Sequence, residues 1–457
     1  MTWFDNSPII LVVTLILLGV GIAQQIFVVV FGRRVLGEWI EANKHVDWVE
    51  RAAAPHPITT VALLAGLNEE LVIADTIRAL MTQGISLVVF VDDGSDDNTS
   101  QVAKDAVDEE NSHRVLVARR ELPNARIGKG PALNFGFEAI NAWVERQGLD
   151  PANVVVAVMD ADGQLSPGAI AQVRDLFLDP EVGGAQLPVS IRNSQTTLTR
   201  IQDIEFWGIS ALAQIARAAT GSVSLGGNGQ FTRLSALHGL NRDPWSACLT
   251  EDLDLAVALA KRGWRLTTAP AAYVSQQAVE SVRRLVKQRT RWYQGHIDCN
   301  RHLPDIWRST VMRDSARLEL TYYLLVPIFM VLPWSVLYTY SFIQGIMRLV
   351  EDPHTTVFGS GLIARILAFL PWYLLTGVPN YVAAYVYHKR RNYPLWRCAL
   401  LCQALLLFQF VTFVACWRAF FRQIARREGW VKTARVAETG GTDRPATSDE
   451  PSFGKAA

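Results

Sequence analysis

Residues 154–162 read VVVAVMDAD, an uninterrupted apolar run that ends in two aspartates one residue apart. Six apolar residues in a row, four of them valine, are typical of a strand that is buried on both faces of a parallel sheet. Such sheets form where strands alternate with helices, and that alternation continues from about residue 58 to 275. The stretch therefore predicts an α/β domain with carboxylates at the end of a strand.

Two earlier apolar runs, 61–67 and 87–91, predict further buried strands of the same sheet. Each run also ends in polar residues. The polar residues of interest after the three strands are Asn68, Glu69, Asp93, Asp160 and Asp162. Open α/β sheets bind ligands at the carboxyl ends of their strands, so we expect these side chains along one edge of the sheet. Asn68 also suits helix capping, a structural role that is compatible with binding.

The spacing of Asp160 and Asp162 lets both carboxylates turn toward one cation. Hard oxygen ligands suit Mg²⁺ or Mn²⁺, and these ions also bind substrate phosphates. The pair therefore predicts a divalent-cation site that works together with a phosphorylated ligand. A turn that merely ends a strand is the structural alternative.

Two glycine-rich runs lie beside these strands. Lys129 stands between two glycines before a predicted helix, where it can contact a phosphate or remain a solvated turn lysine. Residues 226–230 read GGNGQ, and Gly227 and Asn228 in this run would let the backbone approach a sugar closely. A plain turn is the alternative for the second run.

Gln288, Arg291 and Trp292 are spaced i, i+3 and i+4, which places them on one helix face. An arginine fork suits a diphosphate. A tryptophan ring is a flat apolar platform that suits the face of a pyranose. The alternative is a tryptophan that anchors a helix in a membrane interface.

Four short motifs occur in a fixed order along the chain. They are Val91-Asp92-Asp93-Gly94-Ser95, Asp160-Ala161-Asp162, Thr250-Glu251-Asp252 and Gln288-x-x-Arg291-Trp292. In this order the chain resembles the membrane-embedded family 2 glycosyltransferases, which include cellulose, hyaluronan and chitin-oligomer synthases and some glycolipid-forming glucosyltransferases. The motifs cover about residues 55–310. The resemblance implies a nucleotide-sugar-binding domain of the GT-A type, inserted between transmembrane helices and flanked by amphipathic interface helices.

The same resemblance implies a role for each candidate residue. Asp252 is expected to be the general base, with Glu251 as its competitor. Asp162, with Asp160, is expected to hold Mg²⁺ or Mn²⁺. The residues expected to bind the donor nucleotide sugar are Asn68, Glu69, Asp93, Lys129, Asp160, Gln288 and Arg291. The residues expected on the acceptor side are Gly227, Asn228 and Trp292.

Composition narrows the class of protein. The chain has 44 basic and 43 acidic residues, without the basic excess of a nucleic-acid-binding protein. Its 50% hydrophobic content is concentrated in long apolar stretches, which indicates membrane helices. The five cysteines include no C-x-x-C pair, so neither a disulfide framework nor a zinc ribbon is indicated.

The apolar stretches suggest a membrane layout. The predicted divisions are an N-terminal transmembrane helix (1–31), a cytosolic catalytic domain (55–278), interface helices (279–317), a transmembrane region (318–421) and a disordered tail (437–457). Arg33 and Arg34 follow the first helix, and the positive-inside rule places them in the cytosol. Glu351-Asp352 is then expected outside.

The last part of this layout contains a conflict. The transmembrane region holds three apolar stretches, 318–345, 360–387 and 395–418. Three crossings would place Arg422, Arg426 and Arg427 outside, against the positive-inside rule. The last helix either re-enters or breaks, or the charge rule is overridden here, and the residues leave these alternatives open.

Taken together, the resemblance implies an inverting β-glycosyltransferase of the plasma (inner) membrane that uses a UDP-sugar to extend a polysaccharide. The alternative is a glycolipid synthase that transfers one glucose to a lipid such as diacylglycerol. A catalytically silent nucleotide-sugar-binding scaffold is a remote alternative. The implied partners are the donor, a glycan or lipid acceptor, the lipid bilayer and an accessory export subunit, with no nucleic acid.

Overall fold

The computed structural model of the protein describes residues 8–350 and 361–427. The predicted tail at 437–457 and the predicted external residues Glu351-Asp352 lie outside the described residues. The strands are β1 (Thr59–Gly66), β2 (Leu87–Asp92), β3 (Val115–Arg119), β4 (Val154–Met159), β5 (Gln164–Leu165), β6 (Val182–Gln186), β7 (Val189–Ile191), β8 (Gln230–Arg233), β9 (Arg265–Thr267) and β10 (Val274–Gln276).

The helices, in chain order, extend from one membrane-type segment through the α/β domain to a second group of long helices. They are α1 (Pro8–Asn43), α2 (Trp48–Ala52), α3 (Ile73–Thr82), α4 (Thr99–Lys104), α5 (Lys129–Arg146), α6 (Ala169–Leu176), α7 (Thr197–Asp203), α8 (Ala211–Ala218), α9 (Leu234–His238), α10 (Glu251–Lys261), α11 (Val282–Asp298), α12 (Leu303–Arg308), α13 (Asp314–Val326), α14 (Leu332–Val350), α15 (Leu362–Arg391) and α16 (Leu395–Ile424). A π-helical segment, Ile204–Ser210, joins α7 to α8, and a second one, Pro327–Val331, joins α13 to α14.

Seven strands form the main sheet, in the order β3-β2-β1-β4-β8-β6-β9. The first four of these strands are mutually parallel, and β8 runs antiparallel to both β4 and β6. A smaller sheet contains β5, β10 and β7. The parallel arrangement brings the carboxyl ends of β1, β2 and β4 to one edge, as the strand–helix alternation predicts.

The sheet is buried because its strands are apolar on both faces. All six residues of β2 and all six of β4 are buried. On one face, alternate strand residues such as Leu63 and Val89 pack with α5 and α10. On the other face, their neighbours Leu64 and Phe90 pack with α3 and α6. The predicted α/β class is therefore confirmed, with helices covering both faces of the sheet.

Within residues 8–350 and 361–427, three helices are long and apolar enough to cross a membrane, and they span Val12–Asn43, Asp314–Gln344 and Leu395–Ile424. The apolar part of the predicted N-terminal helix (residues 9–31) and the predicted stretches 318–345 and 395–418 lie within or largely within these helices, and most of 360–387 lies in α15. The protein is therefore membrane-associated by composition and helix length. The predicted bounds of the separate domains stay predictions.

An ion pair fixes the first long C-terminal helix to the α/β domain. Arg217 of α8 forms an ion pair with Glu319 of α13, with Nε 2.8 Å from Oε1, and both side chains are buried. The Arg217 guanidinium also lies 3.9 Å from the centre of the Tyr323 ring. Because breaking a buried pair leaves an uncompensated charge, this contact holds α13 firmly against α8.

Candidate active site

A cleft of about 520 Å³ lies at the carboxyl edge of β1, β2 and β4. It is enclosed by the starts of α5 and α10 and by one face of α11. Ten of the thirteen predicted site residues line it, namely Glu69, Asp93, Lys129, Asp160, Gly227, Glu251, Asp252, Gln288, Arg291 and Trp292. The structure thus brings together residues that are far apart in the sequence, since Glu69 and Trp292 are separated by 223 positions.

Lys129 is the cation at the centre of the cleft. Its ammonium group lies 2.6 Å from Asp160 Oδ1 and donates to the Gly227 carbonyl at 2.8 Å. Gly227 has φ +68°, and a Cβ there would lie 2.9 Å from Asp252 Oδ2 and 3.3 Å from Lys129 Nζ. Glycine at this position therefore lets the loop contact both charged groups at once.

The pKa values of the two carboxyls at the start of α10 are both raised. Burial and the nearby charge of Asp252 together raise the pKa of Glu251 to about 7, although the charge of Lys129 opposes them. Burial also raises the pKa of Asp252. One carboxyl of this pair can therefore exchange a proton near neutral pH, as a general base requires.

Lys129 stays protonated in the same surroundings. Burial alone would lower the pKa of its ammonium group, but the charges of Asp160, Glu251 and Asp252 together outweigh burial and raise it. A buried ammonium surrounded by carboxylates is a stable cation. The cleft therefore keeps one fixed positive charge next to the acidic pair.

Asp93 forms part of the cleft wall, and its carboxylate is held in place by Arg120 and by the backbone of Arg126. Its side chain is only 6% exposed, with Oδ1 2.5 Å from Arg120 and Oδ2 accepting the Arg126 backbone N–H at 3.0 Å. Burial raises the pKa of Asp93, and Arg120 partly offsets this. The preceding Asp92 is fully buried and accepts the Ser95 N–H at 2.8 Å, so it shapes the loop.

Two predicted residues, Asn68 and Asn228, are absent from the described lining of the cleft and brace its loops. Asn68 has φ +54°, and its side-chain oxygen accepts the Asp96 N–H at 2.8 Å. Asn228 Oδ1 accepts the Asp160 N–H at 3.2 Å, while its amide donates to Gln276 at 2.9 Å. Both side chains therefore bond to the loops that border the cleft, and their predicted binding roles stay predictions.

Asp162 is the third predicted residue outside the described lining. It is fully buried and accepts the Gln277 N–H at 3.1 Å, whereas the Asp160 side chain is 30% exposed. No group of three His, Cys, Asp or Glu side chains that could hold a metal ion occurs within residues 8–350 and 361–427. Mg²⁺ commonly binds one or two carboxylates together with substrate phosphates, and the Asp160 carboxylate beside the open cleft fits that mode.

The cleft residues that were not predicted from the sequence include Glu205, Phe206 and Arg289. The Arg289 guanidinium lies 4.4 Å from the centre of the Trp292 ring and 2.7 Å from the Glu205 carboxylate. Phe206 meets the Trp292 ring edge-on, with ring centroids 6.1 Å apart. One face of Trp292 is therefore covered, because Arg289 lies over it.

The π-helical segment Ile204–Ser210 supplies Glu205 and Phe206 to this contact. The periodicity of the sequence does not reveal a π-helical segment, although such segments frequently occur at functional sites. The sequence contains a weak indication of Arg289, because this residue lies between Gln288 and Arg291 in the same motif and on the same helix. Arg291 itself donates to the Leu249 carbonyl at 3.3 Å and so ties α11 to the loop before α10.

The far end of the cleft reaches the long apolar helices. Val326 and Pro327, at the junction of α13 with the following π-helical segment, and Thr412 of α16 line it. The cleft thus runs from the charged sheet edge to an end formed by membrane-type helices.

The acidic pair predicts how stability depends on pH. A raised pKa means that folded Glu251 binds a proton more tightly than unfolded Glu251, so its contribution to stability is full below about pH 4.5 and is lost as pH rises through about 7. We expect Glu251→Gln, which stays neutral, to melt at a higher temperature than the wild type at pH 8.5 and at nearly the same temperature at pH 5. Thermal unfolding in detergent measures this, and the exposed control Glu145→Gln should show neither effect. If Glu251→Gln and the wild type melt at the same temperature at both pH values, the pKa of Glu251 is not raised.

Comparison with known proteins gives the family. The model of the group described as glycosyltransferase like family 2 matches residues 56–295, which are 240 of the 457 residues. A β-monoglucosyldiacylglycerol synthase of Trichormus variabilis is 30% identical over 274 residues, covering 58% of this chain and 54% of the relative. A poly-β-1,6-N-acetyl-D-glucosamine synthase of Staphylococcus aureus is 28% identical over 237 residues, covering 51% and 53%.

The fold also matches a solved structure. A mannosyltransferase of Pyrobaculum calidifontis, solved with GDP-Man and Mn²⁺, aligns with a TM-score of 0.50 at 15% identity, covering 90% of this chain and all of that one. This likeness shows the shared fold alone. The chain spans about half the length of the curated relatives that it matches. Since the family model covers more than half of the chain, the protein belongs to glycosyltransferase family 2.

Proposed function

We propose that the protein is an inverting, UDP-sugar-dependent β-glycosyltransferase that adds sugars to a growing β-linked polysaccharide. One observation carries this proposal. The Lys129–Asp160 pair, the Glu251–Asp252 pair and the Arg291–Trp292 face converge on one cleft that runs from the sheet edge to the apolar helices. The arrangement offers a charged end for a nucleotide sugar and a separate end for an acceptor.

The donor would bind at the sheet edge. Glu69 and Asp93 form the wall on that side, where the carboxyl ends of β1 and β2 meet. Lys129 and Arg291 are cations whose charges act on the acidic pair, and both suit the diphosphate. Gln288 lies one turn before Arg291 on the same face of α11.

The reaction is a single displacement at the anomeric carbon. The acceptor hydroxyl oxygen forms a bond to that carbon, the bond from the carbon to the diphosphate oxygen breaks, and the hydroxyl proton passes to Asp252. The configuration inverts because the nucleophile enters opposite the leaving group. Asp252 suits the role of base because its burial and the nearby charge of Asp160 keep its pKa raised. Glu251 remains the alternative base.

A divalent cation is part of the proposal. Asp160, with Asp162 behind it, would hold Mg²⁺ or Mn²⁺ together with the donor phosphates. Such an ion supplies Lewis-acid stabilisation of the negative charge on the departing diphosphate. Lys129, which contacts Asp160 directly, contributes a second positive charge at the same place.

The acceptor would enter from the side of Trp292. Its ring is fixed by Arg289 and Phe206, and the cleft continues beyond it to Val326 and Thr412. A growing glycan could stack on the ring as it advances. The apolar end of the cleft favours a second candidate, transfer of one sugar to a membrane lipid, and the matched diacylglycerol-glucosylating relatives support it as well.

We also propose a plasma (inner) membrane location with the catalytic domain in the cytosol. Arg33 and Arg34 are exposed near the end of the first apolar segment, and the positive-inside rule places such residues in the cytosol. A polysaccharide made there must cross the bilayer, so an accessory export subunit belongs to the proposal for the polymer product.

Asp252→Asn tests the general base. The amide keeps the size of the side chain but cannot accept the proton, so we expect transfer to fall by roughly 10²–10⁴-fold while UDP binding is retained. Transfer from a labelled UDP-sugar and UDP binding by calorimetry measure the two effects. Glu145→Gln, an exposed carboxylate on α5, is the control. Turnover close to that of the wild type would remove Asp252 from this role and leave Glu251 as the candidate.

Chelation tests the cation. We expect activity to disappear in EDTA and to return on addition of Mg²⁺ or Mn²⁺, because the departing diphosphate loses its Lewis acid. Asp162→Ala should abolish activity and should not be rescued by either ion. Full activity of the wild type in chelator would refute this part of the mechanism.

The product distinguishes the two acceptors. Membranes that contain the protein are incubated with a panel of radiolabelled UDP-sugars, and the product is extracted with chloroform–methanol and sized. For the polymer we expect long label-bearing chains that resist extraction, and Trp292→Ala should reduce elongation far more than donor hydrolysis. If the label instead partitions entirely into the organic phase as one or two sugars on a lipid, the enzyme is a glycolipid synthase.

A further inference from the structure

The last apolar helix, α16, begins where the chain is bonded to the α/β domain. Arg391, four residues before it, lies 2.5 Å from the Ser190 hydroxyl of β7 and 2.9 Å from Asp203 of α7. The Arg200 guanidinium of α7 stacks 4.5 Å from the centre of the Tyr393 ring. The start of α16 is thereby fixed to two elements of the catalytic domain.

The other end of α16 is bonded to the same domain. Arg422 donates to the Gln294 side-chain oxygen at 2.8 Å, and the Gln294 amide donates to the Arg427 carbonyl at 2.8 Å. Gln294 belongs to α11. The next residue, Gly295, packs so closely on the loop before α10 that a Cβ there would lie 2.5 Å from Thr250 Oγ1.

Between these ends α16 runs beside α11, and this is the most extensive contact between two elements in the described part of the chain. The 17 residues of α11 include five cations, Arg283, Arg284, Lys287, Arg289 and Arg291. A helix with this charge does not cross a bilayer. Because α16 packs along this charged helix and is bonded to the catalytic domain at both of its ends, we expect it to stay on the same side of the bilayer as α11.

One side of α16 remains exposed from end to end. Its exposed apolar residues recur at helical spacing and are Trp396, Leu400, Leu407, Val414 and Phe421, each between 50% and 62% exposed. Gln403 and Arg418 are exposed on the same side. The opposite side packs on protein, with Cys402, Phe413 and Cys416 buried. The apolar residues on the buried side of α16 are explained by packing against protein. Those on the exposed side need a second apolar partner.

We propose that α16 lies in the membrane interface along the surface that bears the catalytic domain, with both ends on that side and its exposed face in contact with lipid. A lipid surface is the partner that fits, because apolar side chains and an interspersed arginine match acyl chains and phosphate headgroups. This arrangement also removes the charge conflict of the sequence, since Arg422, Arg426 and Arg427 then lie on the same side as the catalytic domain.

Cysteine accessibility tests this proposal without reference to activity. Cysteines are placed at Asn392 and Arg427, just before and just after α16, and at Gln147 as the reference for the catalytic domain. A membrane-impermeant maleimide is applied to sealed cells and then to permeabilised cells. The unsubstituted chain, whose Cys248 is partly buried and whose other four cysteines are buried, supplies the background.

We expect the cysteines at positions 392, 427 and 147 to react alike, so that all three are labelled in sealed cells or all three only after permeabilisation. Labelling of position 427 in the opposite compartment from positions 392 and 147 would show that α16 crosses the bilayer and would overturn the proposal. If either variant does not accumulate, Arg397→Cys and Arg426→Cys, which are also exposed, replace the two positions.

A depth measurement gives a second readout. Spin labels are placed in turn at Leu400, Leu407, Val414 and Phe421 in protein reconstituted in lipid nanodiscs, and collision with oxygen and with a water-soluble nickel chelate is compared. An interfacial helix should give nearly the same shallow depth at all four positions. A crossing helix advances about 1.5 Å per residue along the bilayer normal, so a depth that peaks near Leu407 and Val414 would refute the proposal.

Discussion

The cleft depends on placing one ammonium group among three carboxylates. Asp160, Glu251 and Asp252 come from two separate elements, and Lys129 is the cation that contacts Asp160 and lowers the electrostatic cost of the other two. Without it, burial would push the two carboxyls of α10 further toward the neutral form. With it, one carboxyl of the α10 pair has a pKa near 7, where proton transfer is efficient. Gly227 makes this possible because no side chain separates Lys129 from Asp252.

The remainder of the site is built outward from this cluster by contacts between elements. Asn228 links the Asp160 backbone to Gln276, and Arg291 links α11 to the loop before α10. The π-helical segment then contributes Glu205, which orients Arg289 over Trp292. The charged centre and the aromatic side of the cleft are therefore connected through α11. Because α16 packs along α11, the exposed apolar face of α16 is connected to the same cluster.

Polar contacts hold α13 and α16 on the α/β domain, and in the proposed arrangement these contacts decide the direction of α16. A helix that is apolar by composition can cross a bilayer or lie along it, since both environments accept its side chains. What distinguishes the two is where its ends are held. In α16 both ends are bonded to the catalytic domain, through Arg391 and Gln294, so length and hydropathy alone are an incomplete guide to its topology.

The sequence by itself determined the class of fold and most of the cleft. Buried strands such as β4 are apolar on both faces, and the carboxyl ends of parallel strands must meet at one edge, so Asp93 and Asp160 could be placed together in advance. Helical spacing likewise predicted that Gln288, Arg291 and Trp292 share a face. Only the tertiary structure decided that Asn68, Asn228 and Asp162 are not part of the cleft lining, that Glu205 and Phe206 are part of it, and that α16 runs beside α11. These features depend on contacts between residues far apart in the chain, and local periodicity carries no information about which distant partner satisfies a given side chain.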